Sequence, residues 1–343
     1  MRMPRTPNWS SALAALLLAA AVPAARADET PEPAALLDAV LAPPAVAYKG
    51  HVLVQQWFGK QQLAEEMRVY VEPPDKIRRE FLSLDGIAKR VSISDGDVES
   101  VHLVRAGKTV RGNAVRSYDK VLPPDLERDA LLSNYELLSS TGEKVAGRAT
   151  WRLTMKPKMD GKSWVTLWID QDTKVVLRNR RFLPHRRFAS VAQFVSFEPR
   201  KKLDPALFEI DDSSSDATEA RGLSPEFLTL EQLNQATGDR SSLPLRLPGG
   251  FVFESADVFP VGKSKVRHAR YTDGLTVISV FQTDRPVRLP KGGIIPPGDA
   301  HLPGPLRASR AGKLIQWGGG ARHYTLMGDV SKELVAEIIK SLR

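Results

Sequence analysis

The sequence predicts an α+β protein that is mainly antiparallel β: a large curved sheet with a few covering helices, then a smaller α+β domain. Three observations carry this expectation. Short segments of alternating apolar residues recur at hairpin spacing through the first two hundred residues, with turn formers between them. Helical periodicity is confined to a few short stretches. The segment "DDSSSDATEARGLSPE", residues 211–226, is polar, acidic and serine-rich, and reads as a linker between two folded parts.

The chain opens with "MRMPRTPNWSSALAALLLAAAVPAARADE". Arg2 and Arg5 precede an apolar run over residues 11–22, and Ala25-Arg26-Ala27 has the small-x-small form of a cleavage site. The run is too short to span a bilayer, so residues 1–27 read as a cleaved secretory signal, and the mature protein is expected in the periplasm. The 343-residue chain contains no cysteine, which excludes disulfides, thiolate metal sites and a lipid-bearing N-terminal cysteine. Its formal net charge is +9, and three of the arginines lie in residues 1–27. Outside the inner membrane, the anions such a chain meets are phospholipid or lipopolysaccharide headgroups and acidic protein segments, not nucleic acid. The expected boundaries are residues 28–210 for the first domain, 211–225 for the linker and 226–343 for the second.

In the first domain, "PEPAALLDAVLA" places Ala35, Leu36, Ala39 and Val40 on one helical face. Strands are expected in "HVLVQQWF", "EEMRVYVE", "KIRREFLSL", "KRVSIS", "ESVHLVRA", "ATWRLTMKP", "WVTLWID", "KVVLRNRRF" and "SVAQFVSFEP". A helix over "PPDLERDALLSNYELL" carries Leu126, Ala130 and Leu131 at helical spacing. In the second domain, Asp273-Gly274 lies between two β-prone runs and signals a hairpin. Gly318 to Gly320 mark another turn, and residues 285–305 form a long Pro/Gly-rich loop. A final helix from about Ser331 aligns Leu334, Val335, Ile338, Ile339 and Leu342 on one stripe.

Catalytic motifs do not assemble. Gly107-Lys108-Thr109, Gly161-Lys162-Ser163 and Gly262-Lys263-Ser264 suggest phosphate loops, but the required earlier glycine is replaced by His102, Lys156 and Asp257. The six histidines show no metal-ligand spacing, and no GxSxG is present, so no cofactor is expected. Asp170 and Asp172 in "IDQDTK" read as caps of a bend, against an acid/base or calcium site. Arg178 and Arg180 alternate on one strand face, with Arg181, Arg186 and Arg187 flanking the turn at Pro184. They form either a solvated basic face or a contact surface for phosphate headgroups or an acidic partner.

The large apolar residues leave a similar choice between core and cleft. A curved single sheet cannot fill its concave side from its own strands, and few helices cover it, so an acyl-chain pocket is one expectation. Its candidate lining is Val52, Val54, Trp57, Met67, Val69, Phe81, Trp151, Leu153, Trp164 and Trp168.

Three stretches carry a family resemblance: "LLSNYELLSSTGEKVAGRATWRLTMKPK", "LWIDQDTKVVLRNRRF" and "FVSFEPRKKLDPALFEI". They resemble the N-terminal domain of the MucB/RseB regulators of periplasmic sigma-E signalling, which shares the unclosed half-barrel of the lipoprotein carriers LolA and LolB. "LPGGFVFESADVFP", "VRHARYTDGLTVISVFQ" and "HYTLMGDVSKELVAEIIKSL" resemble the smaller RseB C-terminal domain. The resemblance implies a non-enzymatic regulator whose first domain senses lipid or mislocalised lipoprotein. The second domain, around Tyr271, Val277, Val280 and Phe281, would help hold the periplasmic segment of a membrane anti-sigma factor. The competing expectation is a LolA-type lipid or lipoprotein carrier without a signalling role, and peripheral membrane contact is compatible with either. An exported hydrolase, the third class, has no motif behind it.

Overall fold

The alternating segments pair almost entirely with their sequence neighbours, as short turns between β-prone runs require. The computed structural model describes residues 30–58, 61–96, 98–113, 122–184, 187–209, 218–219, 228–238, 243–261, 264–285, 313–319 and 322–342. Helix α1 (Pro33–Leu41) precedes β1 (Ala47–Phe58), β2 (Gln61–Glu72), β3 (Lys76–Leu82), β4 (Ala88–Ser94), β5 (Val98–Leu103) and β6 (Lys108–Asn113). Helix α2 (Pro124–Asn134) leads into β7 (Tyr135–Val145), β8 (Arg148–Pro157), β9 (Trp164–Asp170), β10 (Val176–Leu183) and β11 (Arg187–Arg200). With β12 (Thr218–Glu219) these strands form one 12-stranded sheet in the order β12-β6-β5-β4-β3-β2-β1-β11-β10-β9-β8-β7.

Strand β1 pairs antiparallel with β11 and joins the two meanders. Among the described strands, only the β12–β6 pair is parallel. The end strands β12 and β7 are not paired with each other, so the sheet stays open as the unclosed half-barrel expected. Bulges at His51/Val52 and Val176/Arg178 bend the strands near its middle. Helices α1 and α2 cover the β7–β9 end, where Leu36, Leu37, Leu131 and Tyr135 pack on Trp151, Leu153, Val165, Leu167 and Ile169.

The second sheet contains β13 (Arg246–Leu247), β14 (Phe251–Val261), β15 (Ser264–Thr272), β16 (Val277–Thr283), β17 (Lys313–Gly319) and β18 (Arg322–Gly328), ordered β13-β14-β15-β16-β18-β17. Two helices accompany it, α3 (Leu230–Thr237) and α4 (Lys332–Ser341). Thr229 and Gln232 close a reciprocal capping box on α3, and Ser331 caps α4 through the Leu334 N–H. Leu334, Val335, Ile338 and Leu342 enter the core with Phe251, Tyr271, Ile278 and Leu326, and Ile339 packs at its margin. The expected stripe is therefore the buried one. Residues Pro31–Arg343, with both sheets, make one compact unit.

Several expectations change at this level. The buried face of α1 is Leu36 and Leu37, while Ala35 is exposed. Leu126 of α2 is 50% exposed, and the helix buries Ala130 and Leu131 instead. That helix stops at Asn134, and "YELL" begins β7, because Tyr135 and Leu137 enter the core only in the extended register with Pro157 and Met155. Strand β6 was not anticipated. Thr218 and Glu219, inside the expected linker, pair with Val110 and Arg111. The signal segment 1–27, most of the linker and the Pro/Gly loop beyond Arg285 lie outside the described residues. No helix among the described residues is long and apolar enough to cross a membrane.

Candidate binding surfaces

Directly paired residues in an antiparallel ladder point to the same side, so the registers assign every candidate to a face. Leu153 pairs with Leu167, Leu167 with Asn179, Asn179 with Ala192, and Ala192 with Val54. Val52, two residues from Val54, pairs with Met67, and Met67 with Phe81. Val52, Val54, Met67, Val69, Phe81, Trp151 and Leu153 therefore share the helix-covered face. Trp57, Trp164 and Trp168 point to the opposite side. The ten proposed lining residues thus do not form one pocket wall, because strand parity separates them.

The helix-covered face is itself divided. Its apolar groups at β7–β9 and at β1–β3 are separated by Asn179, Arg181, Ser190 and Ala192 on β10 and β11. Asn179 is exposed, so this strip is open to solvent. Two arginines stand on this face without an ionic partner among the described residues. The buried Nε of Arg181 has no hydrogen-bond acceptor. Arg79 pairs in register with Val69 and lies among Val69, Val71 and Ile77. Its charge bears on the Tyr48 phenol, whose pKa burial nevertheless pushes up to about 12. Arg90 caps Phe81, with its guanidinium carbon 3.5 Å from the ring centre.

The arginine cluster is split between the faces. Arg178 and Arg180 do share one, but both stack on Trp168, at 5.0 and 5.2 Å from its ring centre. Arg178 also donates to Glu143 at 2.6 Å, and the Trp168 indole donates to the same carboxylate at 2.7 Å. Burial would raise the Glu143 carboxyl, but these donors hold it below the usual range. Arg178 and Arg180 are half-buried and engaged, so they are not a solvated basic face. Arg181 lies within β10 on the other side, and Arg187 begins β11. Arg186 falls outside the described residues.

The carboxylates of "IDQDTK" build a turn. Asp170 Oδ1 accepts from the Thr173 N–H at 2.9 Å, its hydroxyl at 3.1 Å and the Asp172 N–H at 3.1 Å. Arg148 grips both Asp170 oxygens and reaches Asp172 at 2.8 Å. Burial acts to raise the Asp170 pKa, but the Arg148 and Thr173 donors outweigh it and leave the carboxyl below its ordinary value. This is a fork held at a strand end, with the buried Asp170 carboxylate fully engaged by Arg148 and the turn.

In the second sheet, Tyr271 and Val280 are fully buried, and the Tyr271 hydroxyl donates to the Pro244 carbonyl at 2.8 Å. Their side chains face the core and present nothing to a partner in this conformation. Val277 and Phe281 occupy the other face, where Phe281 stacks on His268 with ring centroids 4.4 Å apart. His268 Nε2 lies 2.9 Å from Ser279 Oγ, and its Nδ1 is 3.6 Å from Asp257 Oδ2. The order resembles an acyl-transfer triad. Ser279, however, sits in an inner strand paired on both sides, with Arg270 and with Met327, so its neighbouring N–H groups serve the ladders rather than an oxyanion. Among the described residues no cluster of three or more His, Asp or Glu could hold a metal.

The two sheets meet at a buried polar knot. Lys162 and Asp273, 3.2 Å apart, have side chains 1% and 0% exposed. The Tyr135 hydroxyl donates to Asp273 at 2.8 Å, and Lys162 donates to Asn134 Oδ1 at 3.0 Å. Asn134 in turn donates to the carbonyls of Gly250 and Asp273. Burial, reinforced by the Asp273 charge, drives the Tyr135 pKa far up and keeps the phenol a donor. The glycines are required here. At Gly250, with φ +72°, a Cβ would lie 2.0 Å from Asn134 Oδ1, and at Gly274, with φ +96°, 2.8 Å from Leu131.

Residues 42–212 match the family model of the MucB/RseB N-terminal domain. The chain belongs to the MucB/RseB family. Among solved structures, the Pseudomonas aeruginosa MucA/MucB complex aligns at TM-score 0.55 and 19% identity, over 89% of this chain and 96% of that one. A structure of MucB in complex with MucA(peri) aligns at TM-score 0.55 and 18% identity, over 90% and 97%. At these identities the likeness establishes the fold, and it extends through the second sheet. No curated protein matches the chain.

For this MucB/RseB protein, the strand pattern exposed some of what matters and hid the rest. Arg79 alternates with Ile77 and Phe81 in "KIRREF", so its parity already placed it on an apolar face. In the sequence, Lys162 belongs to an incomplete phosphate-loop pattern and Asp273 to a hairpin turn. Nothing local to either residue signals that they meet.

Proposed function

We propose that this protein is a periplasmic negative regulator of sigma-factor envelope-stress signalling. In this reading residues 1–27 direct export and are removed, and domains 28–210 and 226–343 act together. The protein holds the periplasmic part of a membrane anti-sigma factor. It senses lipid, mislocalised lipoprotein or lipopolysaccharide through the helix-covered face of the first sheet. Membership of the MucB/RseB family supports the regulatory half, together with the same fold in proteins solved in complex with MucA and MucA(peri).

One observation carries the sensing half. Arg79 and Arg181 stand on the face of Val52, Val54, Met67, Val69 and Phe81, with no carboxylate partner among the described residues. A half-buried guanidinium without a counterion is costly, and an amphiphile with an anionic head and an acyl chain supplies both missing contacts. The carrier reading needs only the first sheet. The knot at Lys162 and Asp273 instead binds the second sheet to it, which favours a regulator using both.

Titration calorimetry with the purified periplasmic segment of the cognate single-span anti-sigma factor tests the reading. A stoichiometric complex that a monomeric fatty acid or lipopolysaccharide weakens is the expected result. Absence of any complex would remove the regulatory assignment, and transfer of a bound lipoprotein to an acceptor would replace it with the carrier.

A further inference from the structure

Strands β1 to β6 lie consecutively in the sheet, so the β1–β2, β3–β4 and β5–β6 hairpins turn at the same end, side by side. Four of the ten exposed large apolar side chains among the described residues gather there: Leu63 at 57%, Leu84 at 111%, Ile87 at 63% and Val104 at 42%. Leu84 is fully exposed. The turn that lifts it is nevertheless ordered. The Ser83 N–H donates to the Ile87 carbonyl at 2.8 Å, and the Gly86 N–H donates to Ser83 O at 2.9 Å. Arg68 ties Gly86 O down at 3.0 Å.

Unpaired charge beside the tips, among the described residues, leans positive, with the Asp85 carboxylate set against Arg105 and Lys108. Asp85, the acid of the β3–β4 turn, accepts from the Ser83 hydroxyl within that same turn. Lys89 pairs with Glu65 at 3.2 Å. Arg105 and Lys108, on the neighbouring tip, are exposed and form no ion pair among the described residues. Scattered exposed leucines need no explanation. Apolar points raised on ordered turns, next to uncompensated cations and along one edge, match an interface that is apolar inside and anionic outside.

We infer that these hairpin tips dock the protein on an anionic phospholipid surface. Leu84 and Ile87 enter the headgroup–acyl boundary, while Arg105 and Lys108 meet the phosphates. The edge lies at strand ends, apart from the sheet face proposed to sense lipid, and the inference does not rest on that proposal.

Co-sedimentation of the mature chain with vesicles tests it, comparing phosphatidylglycerol/phosphatidylethanolamine with pure phosphatidylcholine. Wild type should bind the anionic vesicles, less tightly as salt rises. The pairs Leu84→Ser with Ile87→Ser, and Arg105→Glu with Lys108→Glu, should each weaken binding by about tenfold or more. All four side chains are exposed, so urea midpoints should not move, and binding of a monomeric fatty acid should persist in both variants. Failure of wild type to bind the anionic vesicles, or equal binding by wild type and both variants, overturns the inference. So does loss of anti-sigma binding in the variants with vesicle binding intact, which would make the tips a protein contact. If wild type binds vesicles but no fatty acid, the sensing proposal fails and the docking edge stands.

Discussion

Lys162 Nζ sits 3.2 Å from Asp273 Oδ2, and this one buried ion pair joins the loop before β9 to the β15–β16 turn. Removing one partner leaves a charge in a site from which water is excluded. Lys162→Met should therefore cost about 3–5 kcal/mol in urea unfolding. Adding Asp273→Asn removes the stranded charge while keeping the turn's acceptor, and should recover most of the loss. A Lys162→Met protein as stable as wild type would show that the knot does not hold the sheets together.

Asp170 predicts an acid-side effect. Its folded pKa lies below the ordinary 3.8, so its stabilising contribution is fully present above that value and fades as pH falls through the folded pKa. Asp170→Asn should lower the unfolding midpoint at neutral pH and flatten its decline in acid. An unchanged slope in urea melts across the acid range would mean that other carboxylates govern it.

The helix-covered face makes a ligand prediction. Arg79→Met and Arg181→Met should each reduce affinity for a monomeric fatty acid by about tenfold, the worth of one charge-assisted hydrogen bond. The fatty alcohol of equal length should bind both variants and wild type alike. If acid and alcohol bind wild type equally, these arginines read no headgroup.

Arg178 and Arg180 behave as structure rather than free surface. Arg178→Glu with Arg180→Glu would set a new carboxylate against Glu143 and strip the cations from Trp168. The expected cost is about 1–3 kcal/mol, with a changed tryptophan emission. A variant with wild-type stability and emission but altered partner binding would restore the contact-surface reading.

Which of these features the chain announces depends on their range. Period-two alternation and turn chemistry act over a few residues, so "HVLVQQWF", "WVTLWID" and Asp273-Gly274 declared their strands and hairpin directly. The helix at "PPDLERDALLSNYELL" was overextended because "YELL" has helical propensity, and only pairing with β8 decides that it is extended.

Local pattern along the chain was enough for an open antiparallel half-barrel with a second α+β part, for the turn role of Asp170, and for a family resemblance that the domain match established. Tertiary structure decided which face each side chain occupies, since a bulge such as that at Leu177 shifts strand parity relative to the neighbour. It also decided that Trp168 is covered by arginines, that Tyr271 and Val280 are core, and that Lys162 meets Asp273. Those outcomes rest on contacts between distant segments. Their partners are chosen by packing and charge in space, and no local pattern encodes them.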